Sequence, residues 1–130
     1  MTSTKEKTTV HPGIAKAKEA GHVVKSAEIS DREYIYRSIS RPEYKKLQNK
    51  VAEESRNMRN SKSPEDFETE QERIRDRAEE RLVLIALIEP EVESELDLST
   101  VIPLAGVIPT LAELIMHASG FGVDVQPKSL

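Results

Sequence analysis

Proline spacing constrains this chain more than any other feature. Between Pro64 and Pro90 no proline or glycine interrupts the sequence, and the stretch reads as one helix over Ser63–Pro90. Ser63 suits an N-cap and Pro64 the first helical position, while Glu65, Asp66 and Glu68 put negative charge where the macrodipole favours it. Phe67, Gln71, Ile74, Ala78, Leu82, Ile85 and Ile88 recur every three or four residues, which makes one face mostly apolar. Arg73, Arg75, Asp76, Arg77, Glu79 and Glu80 crowd the rest. Such a helix is roughly 39 Å long at the helical rise, more than the core of so small a protein needs. Its end, Leu82–Ile88, is apolar all round and has to be covered on every side, by the remaining chain or by a partner.

What packs on this spine follows from the flanking patterns. His22–Ile29 looks extended, and Glu33–Ile39, dense in aromatic and β-branched residues, is the best strand in the sequence. Ser30–Glu33 serves as the hairpin connection. A two-stranded sheet is marginal by itself, so the pair must lie on a helix or join another sheet. Ser40-Arg41-Pro42-Glu43 has the form of a capping box and opens a helix with Tyr44, Leu47, Val51 and Ala52 on one side, fading around Arg56–Asn60. The short link to the spine predicts an antiparallel helical hairpin. Glu91–Leu98 alternates like a strand but is so acidic that a solvated connector is the preferred reading. Pro109–Ser119 predicts a short helix with Leu111, Leu114, Ile115 and Ala118 in one stripe, stopped by Gly120 with Phe121 just beyond. The expected fold is mainly α with a small β-hairpin (α+β): a helical hairpin plus a short C-terminal helix. Residues 1–20 are expected as a flexible arm in which Pro12–Ala20 can form a short helix, 21–122 as the single helical domain, and 123–130 as an irregular tail.

The chemistry sought in the sequence is mostly missing from it. The chain has 130 residues, a net charge of −4 and no cysteine, which removes disulfides and thiolate chemistry and argues against a general nucleic-acid binder. The segment MTSTKEKTTVHPG lacks the apolar core of a signal peptide, and Leu82–Ile88 is too short to span a bilayer, so a soluble protein with no membrane role is expected. Glu113 and His117 share a helix face without a third ligand, so no metal is expected, and nothing points to a cofactor. The arginines at 73, 75, 77 and 81 are interleaved with acids. Adjacent acids such as Glu53-Glu54 and Glu79-Glu80 diverge on a helix and cannot close on one substrate atom. Tyr34 and Tyr36 share a strand face, either packed on a helix or open as a stacking platform. No enzyme is expected.

Two stretches together resemble a known group. Tyr34-Ile35-Tyr36-Arg37-Ser38-Ile39-Ser40-Arg41-Pro42-Glu43-Tyr44 resembles the opening, and Ala105–Phe121 (AGVIPTLAELIMHASGF) the ending, of small tail and baseplate assembly proteins of contractile-tailed bacteriophages. Ile39 departs from the leucine usual there, and the first 30 residues have no counterpart. The resemblance implies a non-enzymatic structural adaptor or assembly chaperone in the host cytoplasm or the virion, acting through contacts with other tail or baseplate proteins. Self-association stays open, and the residues expected at such contacts are Tyr34, Tyr36, Arg37, Arg41, Tyr44, Leu84, Leu87, Ile88, Leu111, Ile115 and Phe121. The alternative is a small regulatory module that binds nucleic acid or a host protein through the arginine-bearing face of the hairpin.

Overall fold

The computed structural model describes residues 11–61, 66–122 and 127–129. In chain order these form α1 (Pro12–Glu19), β1 (Val24–Ile29), β2 (Arg32–Arg37), α2 (Arg41–Ser61), α3 (Phe67–Ala86), β3 (Leu87–Glu89), α4 (Glu95–Val101) and α5 (Val107–Ala118). The chain is thus mainly α with a small antiparallel sheet of order β1-β2-β3. The expected arm over Met1–Val10, the cap at Ser63-Pro64-Glu65 and most of the tail lie outside the described residues.

The hairpin is tighter than its sequence suggests. Ser30 and Asp31 both take positive φ, 53° and 65°, and Ile29 pairs directly with Arg32. Two residues in that conformation match the right-handed strand twist, so Arg32 and Glu33 belong to β2 and not to the connection. Tyr34 stands opposite Ala27 and Tyr36 opposite Lys25, and both tyrosines are buried. A platform of open rings is therefore excluded.

A third strand completes the sheet and corrects the expected spine. The helix stops at Ala86, Leu87 turns extended at φ −75° and ψ 125°, and Leu87–Glu89 pairs with Ile35 and Tyr36. Backbone donors on the free edge of β2 need partners, and the chain supplies them from the end of the apolar run. The Glu89–Pro90 bond is cis. The acidic connector is corrected too. Glu95 and Asp97 lie in the first turn of α4, where negative charge suits the dipole, and Leu98 is buried.

Residues 11–20, counted with the arm in the sequence, take part in the fold. The His11 side chain accepts from the Gly13 backbone N–H at 2.9 Å, capping α1, and lies 2.8 Å through Nε2 from Glu91. A Cβ placed on Gly13 would meet Ile88 Cγ2 at 3.1 Å, so α1 approaches β3 closely because that residue is glycine.

The core gathers Tyr34, Tyr36 and Ile39 from the sheet side with Leu82, Val83 and Ala86 of α3. Leu98 and Ile102 of the α4 region and Val107, Leu111, Ala112 and Ile115 of α5 close it. The helical hairpin is antiparallel: Glu54 of α2 reaches both Arg77 and Arg81 of α3.

Candidate functional site: an apolar groove between three helices

The capping box places α2. Ser40 N–H donates to Glu43 Oε1 at 2.9 Å and Glu43 N–H to Ser40 Oγ at 3.3 Å, the reciprocal pattern its sequence predicts. Glu43 also receives both guanidinium nitrogens of Arg37, at 3.0 and 2.8 Å. That paired donation holds the Glu43 carboxyl down at about 2 from its ordinary 4.5. The strand end and the helix start are thereby clamped.

The C-terminus of α5 is fixed as firmly. Gly120 sits at φ 99°, its N–H donates to His117 O at 3.0 Å, and Phe121 N–H donates to Met116 O at 3.0 Å. This is a Schellman motif, with its αL position filled by glycine. The turn delivers Ser119 Oγ to the Ile39 N–H at 2.9 Å and sets the Phe121 ring 4.7 Å from that of Tyr44. Tyr34–Tyr44 and Ala105–Phe121 thus meet in space.

Beyond that junction the three helices leave an open groove of about 840 Å³. α2 contributes Tyr44, Leu47, Gln48, Val51 and Ala52, one stripe at helical spacing. α3 contributes Arg75, Ala78, Glu79 and Leu82, and α5 adds Pro109, Thr110, Ala112, Glu113 and Met116. Three alanines, 52, 78 and 112, keep the groove open where larger residues would fill it. Burial, then repulsion from Asp76, pushes the Glu79 carboxyl above its ordinary value, with Arg75 opposing the shift. No hydrogen bond or ion pair to Glu79 is present among the described residues.

The residues expected at partner contacts divide sharply. Tyr34, Tyr36, Ile88, Leu111 and Ile115 are buried in the core and present no surface. Arg37 is committed to Glu43, Leu84 and Leu87 are half-buried against the core, and Arg41 is exposed at the start of α2. Tyr44 lines the groove, and Phe121 packs against it from outside the lining. Sequence reasoning placed Ala52 and Ala78 on packing faces but missed Ala112, Met116 and Glu79 as groove residues. The available signal was an apolar stripe on each of three helices with alanine where a bulky partner residue is usual.

The arginine-bearing face of the hairpin is largely neutralised. Arg81 makes paired contacts to Glu54 at 3.0 and 2.8 Å and lies 3.7 Å from Glu95, and Arg77 reaches Glu54 at 3.3 Å. The Arg81 hydrogen bond pulls the Glu54 carboxyl below its ordinary value. Among the described residues no group of three His, Asp or Glu side chains could hold a metal, and no helix is long and apolar enough to cross a membrane. Comparison with protein-family models, curated proteins and solved structures finds no match.

Proposed function

We propose that this chain is a non-enzymatic protein of phage tail or baseplate assembly, a structural adaptor or assembly chaperone that works through protein–protein contacts. The groove between α2, α3 and α5 carries the reading: it is mostly apolar and open, with a stripe at helical spacing along α2 and one alanine from each helix in its lining. Apolar grooves between helices are a recurrent docking place for a partner's helix. The meeting of Tyr34–Tyr44 with Ala105–Phe121 at the Ile39–Ser119 and Tyr44–Phe121 contacts adds support, because the two resembling stretches then serve one construction.

The test is quantitative mass spectrometry of purified particles and infected-cell lysate, with a gene deletion alongside. The chain at fixed stoichiometry in particles identifies an adaptor that stays. The chain in lysate alone, with tails missing from the deletion, identifies a chaperone that leaves. Normal tails in the deletion overturn the reading.

A further inference from the structure

The shape and charge of the groove select its occupant. The α2 wall from Tyr44 to Ala52 is about 12 Å long, two turns of helix. The alanines at 52, 78 and 112 stand on three different helices, and side chains that small let another helix axis approach to about 8–10 Å. Glu79 on α3 and Glu113 on α5 both line this space, with Arg75 as the one cation in the lining. Glu79 is half-buried there, and the nearby charge of Arg75 offsets only part of the cost of its burial, leaving a cation brought from outside to offset the rest.

We infer that the groove receives about two turns of a basic amphipathic helix from a partner protein, with apolar residues at i, i+3 or i+4 and i+7 seated among the alanines and a lysine or arginine meeting Glu79. This deepens the interaction reading above and rests on it. The helix completes a four-helix arrangement in which α3 gains the neighbour it lacks on its groove side. Glu113, exposed on the opposite wall, favours a second basic residue on the same occupant.

The probe is a yeast-displayed library of helical peptides of about four turns, patterned apolar at i, i+3, i+4 and i+7 and randomised between Lys, Glu and Gln elsewhere. Selection on the full chain is expected to enrich peptides with Lys on one flank. Against the enriched peptide, Glu79→Gln is expected to weaken binding about 5- to 10-fold and Glu79→Lys to turn the preference toward Glu-bearing peptides. Circular dichroism of both variants confirms that each is folded. Enrichment of neutral or acidic peptides on the wild type, or equal affinity for Glu79→Gln, overturns the inference. So does concentration-dependent self-association competing with the peptide and indifferent to Glu79→Lys, which puts a second copy in the groove. Peptide binding is read without any phage, so basic-helix binding alongside normal tails in the gene deletion upholds the groove's specificity and removes the assembly role alone.

Discussion

The two ends of α3 live in different worlds. Its C-terminal half offers Leu82, Val83 and Ala86 to a core shared with the sheet and α5, and Val83 is fully enclosed. In its N-terminal half Ile74 alone is buried, near the half of α2 that buries Met58, and past the helix midpoint Glu54 of α2 holds Arg77 and Arg81 where this stalk meets the core. Apolar burial does not titrate and is not weakened by ionic screening, whereas carboxylate–guanidinium pairs lose strength to both acid and salt. One helix therefore joins a head stabilised by packing to a thinly packed stalk that is clamped at its base by charge. Hydrogen exchange should show it, with amides after Leu82 protected to the global limit and those near Ile74 opening by smaller fluctuations.

Perturbations of the head should have the largest effects. Leu111→Ala removes a side chain with no exposure from the centre of the core and should cost about 3–4 kcal/mol in denaturant unfolding. Leu84→Asp, at the half-buried border of that core, should abolish soluble expression. Glu43→Ala removes the capping box together with the Arg37 partner, with an expected loss of about 2 kcal/mol.

Acid should sharpen the contrast. Folding lowers the Glu43 carboxyl from 4.5 to about 2, so its contribution is complete above the ordinary carboxylate range and disappears as pH falls from 4.5 toward 2. Glu54 is shifted in the same direction and behaves with the same sign. Glu54→Gln should cost about 1 kcal/mol, flatten the acid limb of the stability curve, and speed exchange in the stalk while leaving the head unchanged. Removing residues 1–20 strips α1 from Ile88 and His11 from Glu91, for a loss of about 1–2 kcal/mol with the core preserved. The smallest effect belongs to Glu79→Gln. Its carboxyl is raised on folding, so the charged form opposes folding as pH rises, and the variant should be more stable at neutral pH by about half a kcal/mol.

Local signals were legible where they were chemically specific. Ser40 and Glu43 announced their reciprocal bonds, and Gly120-Phe121 announced a helix stop that the structure builds bond for bond. The strand at Tyr34–Tyr36 was readable from its aromatic and β-branched residues, the hairpin of long helices from its short link, and a short helix at Pro12 was readable as possible from its proline start. Leu87-Ile88-Glu89 was not. A continuous apolar run suits a buried helix or a buried strand equally, and the choice was made by β2, whose edge lies far away in sequence. The acids of Glu91–Leu98 misled because first-turn acids and solvated connectors share a composition. The groove was harder still, since it is a space between three helices and no single periodicity encodes it. Glu79 looked like one more surface acid until α5 was in place.

The direct passage from Ala86 into Leu87 has a mechanical consequence. With no intervening loop there is no slack between helix and strand, so α3 cannot turn about its own axis without tearing β3 from Tyr36. One residue of rotation is about 100°, which would carry Val83 out of the core as well. α3 is accordingly the stator of this molecule. Any widening of the groove for an incoming helix has to come from α2 or α5 swinging away from it, hinged at the Tyr44–Phe121 contact where their ends meet.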